Sequence, residues 1–203
     1  MSVVVGFDEA GRGPLAGPVC AAAVILPPDF PVEILNDSKK LSEKKRLAAE
    51  AVIKEKALWG LSFVDHKTID KINILQASLL AMKQAFDDLL SKKEAFLAKN
   101  AVAGGLKASD LLLEKLHGIA DGTFVPPNLS IDCEAVVKAD ATFPQVMAAS
   151  VLAKTARDRF MVQAAQKYPG YGYEKHKGYP TAAHKAACRS LGPSPIQRMS
   201  FTY

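Results

Sequence analysis

The sequence predicts an α/β protein: a mixed β-sheet flanked by helices, with further helical elements toward the C-terminal end. Three observations lead there. Apolar runs of strand length, closed by Gly or Pro, stand at 3–7 and 19–26. Apolar residues return at helical spacing over 68–90. A second long helical stretch, 142–167, follows two more short strand-like runs.

Taken in order, residues 3–7 form a central strand. The loop 11–18, broken by Gly11, Gly13, Pro14, Gly17 and Pro18, separates it from a second buried strand at 19–26, which Pro27 and Pro28 end. So short a connection makes the two an antiparallel, hairpin-like pair. Residues 36–46 are polar and turn-like. They lead into a helix with Ser42 as N-cap, Glu43 in its first turn and Leu47, Val52 and Ile53 facing inward. A third strand follows at 57–64. In the helix over 68–90, Thr68 caps, Asp70 lies in the first turn, and Ile72, Leu75, Leu79, Met82 and Phe86 form the packing face. The charged, alanine-rich segment 91–116, broken at Gly104 and Gly105, reads as loops and one short helix.

Residues 117–121 (HGIAD) and 135–138 (AVVK) are short strands. The helix over 142–167 has Thr142 as N-cap and Pro144 in its first turn, and Tyr168, Pro169 and Gly170 stop it. Its small residues Ala148, Ala149, Ser150, Ala153 and Ala156 permit close approach to a sheet, while Lys154, Arg157 and Arg159 line it with charge. A basic aromatic loop, 168–180 (YPGYGYEKHKGYP), precedes a last helix capped by Thr181 and closed by Gly192. With no internal repeat or linker, 1–203 reads as one domain whose basic helical part is 141–203.

Composition bounds the class. A 49% apolar and 23% charged chain is ordinary for a globular protein, and no apolar run approaches a membrane span. The expectation is a cytoplasmic monomer, without membrane contact and with no evident docking tail after Phe201. Cys20, Cys133 and Cys188 read as small buried hydrophobes, fitting neither a disulfide framework nor a zinc pattern. The net charge of +5 is unevenly spread: residues 141–203 carry about +7 and residues 1–140 about −2. An acidic centre beside a basic third suits a polyanion held around metal ions, although such a face also serves solubility.

The chemistry concentrates at 3–17 (VVVGFDEAGRGPLAG). Adjacent Asp8 and Glu9 repel and raise each other's pKa unless a cation offsets them. Mg²⁺ takes carboxylate oxygens and keeps its other positions for water and phosphate. Asp121, at a strand end, and Asp140, between a strand and a helix, complete four acids. Singly, Asp121 reads as a turn residue and Asp140 as a cap. Together with Asp8 and Glu9 they can hold two divalent ions about 3.5–4 Å apart, the arrangement for in-line phosphoryl displacement. Neither a GxxxxGK[ST] loop nor dinucleotide-type glycine spacing is present.

The segments GFDEAGRGPLAGPV, DSKKLSEKKR, IADG, VVKADATFPQVMAASVLAKTARDRFM, YPGYGYEKHKGYPTAAH and RMSF carry a resemblance to bacterial ribonuclease HII over essentially the whole chain. The resemblance implies the ribonuclease H-like fold and metal-dependent cleavage, with Mg²⁺ or Mn²⁺, of RNA in RNA·DNA hybrids. It also implies incision of duplex DNA on the 5′ side of single embedded ribonucleotides, leaving 3′-hydroxyl and 5′-phosphate ends. The family's metal-binding acids fall on Asp8, Glu9, Asp121 and Asp140. Gly11, Arg12 and Gly13 match its loop for the 2′-hydroxyl, and Tyr179 matches the tyrosine that packs on the following deoxyribose. Lys39, Lys40, Lys154 and Arg157 are expected phosphate contacts, which position rather than specify.

The chain departs from the family pattern at three places. Ala139 stands where glycine is usual before the last aspartate. The strand before Asp121 is poor in β-branched residues, which leaves Asp110 as a rival third acid. Gln197 replaces the usual histidine before Arg198. Two other readings are a ribonuclease HIII-type hybrid nuclease, a family that usually lacks the GRG loop and carries an extra N-terminal domain, and a non-catalytic basic nucleic-acid-binding module. Adjacent acids argue against the latter, because they repel phosphate unless metal intervenes.

Overall fold

The computed structural model describes residues 2–36, 38, 40–100 and 106–202. Five strands form one sheet in the order β3-β2-β1-β4-β5: β1 Val3–Ala10, β2 Val19–Ile25, β3 Leu58–Val64, β4 Leu116–Asp121 and β5 Asp132–Val136. The first three pair antiparallel, as the short 11–18 loop requires, and β4 and β5 join β1 in parallel. The sheet is therefore mixed. β1 runs three residues past the expected end, because Asp8, Glu9 and Ala10 pair with Ala22, Ala21 and Cys20. β5 begins earlier than expected and stops at Val136.

Helices cover both faces: α1 Glu43–Lys56, α2 His66–Ser91, α3 Lys93–Asn100, α4 Pro144–Lys167, α5 Tyr173–His176 and α6 Ala182–Leu191. β2 explains why its sequence is apolar without alternation: every residue is buried. Val19, Ala21, Ala23 and Ile25 pack toward α2, with Phe7, Met82 and Phe86. Cys20, Ala22 and Val24 pack toward α4 and α1, with Leu152 and Ile53. Glycine sets how closely the helices cross. A Cβ at Gly60 would lie 2.0 Å from the Ala85 carbonyl oxygen of α2, and one at Gly6 would lie 2.3 Å from the Gln145 backbone of α4.

Local signals hold in part. Ser42 accepts from the Lys45 N–H and Thr181 from the His184 N–H, so both N-caps form as expected. α2 is capped by Asp65 rather than Thr68, since the Asp65 carboxylate reaches the Thr68 N–H at 2.8 Å. It is also kinked: Asn73 leaves helical geometry at φ 65°, and its side chain caps the following turn at Gln76. α4 starts after Phe143 with no side-chain cap, so Thr142 does not serve as one. Leu47 is exposed, whereas Ile53 of the same helix is fully buried. The aromatic loop after α4 encloses the single turn α5. Gly104 and Gly105 lie outside the described residues. All three cysteines are free thiols, Cys20 and Cys188 buried and Cys133 partly so. Among the described residues no helix is long and apolar enough to cross a membrane.

The C-terminal segment returns to the loop between β1 and β2. Ala16 bridges Gln197, and the Arg198 N–H donates to the Leu15 carbonyl at 2.8 Å. Asp70 of α2 fastens the next residues by accepting from the Met199 and Ser200 N–H groups.

Candidate active site

β1 and β4 run parallel with Phe7 beside Ala120, so Asp8 and Asp121 occupy the next places on neighbouring strands. Alternation turns Phe7 toward α2 and Asp8 toward α4, on the side of Ser150, whose hydroxyl favours the ionised Asp8 carboxyl. Ser150 in turn meets Ser38 at 2.8 Å. Asp8 is almost fully buried and also accepts from the Glu9 N–H at 2.7 Å. Burial first, then the charge of Glu9 and more weakly that of Asp121, holds its carboxyl well above the usual range. Glu9 is raised too: burial outweighs the opposing pull of Arg12, whose Nη1 lies 3.3 Å from Glu9 Oε1.

Beyond β5 the chain turns through Lys138 in left-handed geometry at φ 61°, so the special backbone position falls one residue before Ala139. The 3-10 turn Ala139–Ala141 that follows carries Asp140, which is buried. This turn packs on β4 and leads into α4, whose first turn lies against Gly6, two residues before Asp8. Strand β1, strand β4 and the entry to α4 thus bring Asp8, Asp121 and Asp140 to one end of the sheet.

Asp121 Oδ1 is buried and has no hydrogen-bond partner among the described residues. An orphaned carboxylate oxygen is costly in water-poor surroundings unless a cation meets it. Together with two acids of raised pKa, this donor set fits a hard divalent ion. Among the described residues no three His, Cys, Asp or Glu side chains already stand grouped around one point.

Beside the acids lies the glycine loop. Gly11 has φ 102°, and a Cβ there would meet Arg157 Nε at 2.0 Å. The loop is pinned from beneath by two buried arginines. Arg198 donates from Nη2 to the Gly11 carbonyl at 2.7 Å, from Nη1 to Arg12 at 3.0 Å and from Nε to Gly17 at 2.9 Å. Arg157 donates to the carbonyls of Pro18, Ala16 and Lys177 at 2.9, 3.1 and 3.0 Å. A trans peptide points its C=O and N–H in opposite directions. Drawing the Gly11 and Arg12 carbonyls onto Arg198 therefore turns the Arg12 and Gly13 N–H groups away from it. The Tyr179 ring borders the loop, since a Cβ at Gly13 would lie 3.6 Å from Tyr179 Cε1.

A family model described as Ribonuclease HII matches residues 5–203. A protein of Treponema denticola named Ribonuclease HII is 50% identical over 203 residues, spanning 98% of each chain. Another of that name from Dechloromonas aromatica is 48% identical, spanning 99% of this chain and 91% of its own. The chain belongs to the ribonuclease HII family. It is accordingly a ribonuclease H type 2 enzyme.

Solved structures agree on the fold. Ribonuclease H2 of Pyrococcus horikoshii OT3 superposes with a TM-score of 0.66 at 24% identity, covering 98% of this chain and 93% of its own. Bst-RNase HIII in complex with Mn²⁺ gives 0.68 at 16% identity, but only 67% of that chain is covered. The mixed five-stranded sheet flanked by helices is the ribonuclease H-like architecture that the family resemblance implied.

Against that family pattern, Asp8, Glu9, Asp121 and Asp140 stand as described above, as do Gly11, Arg12, Gly13 and Tyr179. Asp110 is engaged elsewhere: its Oδ2 accepts from the Lys107 N–H at 2.9 Å, closing its own turn. Arg157 differs from expectation. It is 1% exposed and gives its guanidinium to three carbonyls, so in this structure it braces the loops. Lys154 is paired with Asp158 at 2.7 Å on α4. Lys40 is exposed, and Lys39 lies outside the described residues. Sequence reasoning read Ser150 only as a small packing residue and assigned Arg198 no role. The closing RMSF motif was the available signal for Arg198, whereas nothing local marks Ser150.

Proposed function

We propose that this ribonuclease HII hydrolyses RNA in RNA·DNA hybrids and incises duplex DNA on the 5′ side of a single embedded ribonucleotide, leaving 3′-hydroxyl and 5′-phosphate ends. Asp8, Glu9, Asp121 and Asp140 would hold two divalent ions, Mg²⁺ or Mn²⁺. Bound there, the ions would lower the pKa of the attacking water and stabilise the leaving oxygen. The observation that carries the reading is the contiguity of the acid group with the 11–13 loop, through the Glu9–Arg12 ion pair, and of that loop with Tyr179.

The chain's own groups supply selection and placement. A 2′-hydroxyl both donates and accepts, and it separates RNA from DNA at a given position. The outward N–H groups of Arg12 and Gly13 can donate to it at short range, because Gly13 carries no side chain to hold a sugar off. The Tyr179 ring, 41% exposed, offers a flat apolar face to the next deoxyribose and disfavours a polar group there. Raised pKa values at Asp8 and Glu9 are what the acids show before cation charge is added, and binding favours their ionised form.

The test uses two labelled duplexes, one all-DNA and one with a single ribonucleotide, each with and without Mg²⁺. Metal-dependent incision of the second alone is expected. Efficient cutting of long hybrids with none at the single ribonucleotide would favour the ribonuclease HIII-type reading. Tight metal-independent binding with no cutting would favour a binding module.

A further inference from the structure

Against the Tyr179 backbone two imidazoles stack: His176 and His184, with ring centroids 4.5 Å apart and planes inclined by 18°. Tyr173 packs edge-on against both. His184 is completely buried. Its Nδ1 lies 3.0 Å from the Tyr179 carbonyl oxygen. A carbonyl only accepts, so Nδ1 carries the proton and Nε2 holds the lone pair. That Nε2 is buried with no partner among the described residues.

A buried, unpaired acceptor is a liability that an apolar side chain of similar volume would not carry. What the imidazole does, and leucine could not, is donate to Tyr179. Burial pushes the His184 pKa down and keeps the ring neutral, in the tautomer this bond requires. His176 secures the preceding residue in the complementary way. Its Nδ1 accepts from the Gly178 N–H at 3.2 Å, and its Nε2 donates to the Tyr171 carbonyl at 2.8 Å. The Gly178 carbonyl then accepts from the Leu15 N–H at 2.8 Å, joining this segment to the glycine loop.

We propose that His184 is a positioning residue for Tyr179: its Nδ1–H holds the Tyr179 peptide so that the ring borders Gly13 where the substrate sugar must pass. The inference rests on the reading of Tyr179 as the sugar-packing residue. His176 stacks beneath His184 and fixes the peptide before Tyr179. The hydrogen bond sets an orientation, while Tyr173 and His176 pack against the ring.

The experiment is a double-mutant cycle on the full chain with the single-ribonucleotide duplex, using H184L, H184N, Y179A and Y179A/H184L. Melting temperatures and duplex affinity in EDTA are measured alongside kcat and KM. Asparagine places its amide N–H where Nδ1–H stood. H184L is expected to lower kcat/KM about tenfold, the scale of one lost orienting bond. H184N should restore it to within about threefold, and H184L should add less than about twofold in the Y179A background. The metal-free affinity should follow the same pattern. If H184L costs as much in the Y179A background as in the wild-type chain, or H184N is as impaired as H184L, His184 only packs the core and the proposal falls. If Y179A alone leaves kcat/KM and affinity unchanged, the reading of Tyr179 falls first, and the proposal falls with it.

Discussion

The Arg198 guanidinium lies directly beneath Gly11, with Nη2 donating to the Gly11 carbonyl at 2.7 Å. It reaches the loop from the far end of the chain and orients two successive peptides. R198K keeps the charge but replaces a planar fork whose three nitrogens each reach a different carbonyl with a single ammonium nitrogen. Stranding two buried carbonyls should cost about 2 kcal/mol or more in unfolding free energy. A freed loop should lower kcat/KM on a single-ribonucleotide duplex by about 10²-fold. Urea melts and steady-state kinetics check the pair. Unchanged kinetics in a well-folded variant would separate the arginine from the loop's function.

The glycines of the loop should respond differently to alanine. At Gly11 a Cβ would lie 2.0 Å from Arg157 Nε at φ 102°, so G11A should destabilise the fold by about 2 kcal/mol or more. At Gly13 the same atom would make an ordinary 3.6 Å contact with Tyr179. G13A should therefore melt within about 0.5 kcal/mol of wild type, as unstrained substitutions do, yet cut poorly because the methyl group fills the sugar's path. Thermal melts with cleavage assays distinguish the two.

Asp8 should trade stability for function. Its raised pKa means that the fold favours the neutral carboxyl: the stabilisation is present below the ordinary carboxylate pKa and is lost as pH rises through the raised value. At neutral pH without metal, D8N should stabilise the protein by about 1 kcal/mol or more while abolishing cleavage. A melting temperature below wild type in EDTA would contradict this.

Glu50 has the opposite sign. Burial would raise its carboxyl, but Lys54 at 2.6 Å and Arg159 at 2.7 Å outweigh it and hold the pKa below the usual range. Its contribution is present above the ordinary glutamate pKa and fades as pH falls through the lowered value. E50Q should cost about 1 kcal/mol at pH 7, and the difference from wild type should close below about pH 4. Urea denaturation at several pH values reads this directly.

Much of the fold was legible because its cues are local. The continuous run of β2 marks a strand buried on two faces, and Ser42 and Thr181 cap where their spacing says. What was misread depends on distant partners. The first strand was expected to end at residue 7, yet pairing of Asp8 and Glu9 with Ala22 and Ala21 extends β1 through them. Arg157 sits in a charged stretch and reads as a surface residue. Its acceptor Pro18 lies 139 positions away, and no spacing rule connects them. The acids were legible as a set because Asp8 and Glu9 adjoin each other after an apolar run, Asp121 ends a strand and Asp140 precedes a helix. Only packing shows that Asp110 closes its own turn while Asp121 keeps a buried oxygen without a partner among the described residues.

We propose that Asp121 joins Asp8, Glu9 and Asp140 in holding divalent ions. Calorimetric titration of Mn²⁺ into wild-type protein, D121N and D110N tests it most directly. Binding should weaken about tenfold or more in D121N, the scale of one lost charged ligand, and should be unchanged in D110N. Wild-type affinity in D121N, with the loss in D110N instead, would contradict the account.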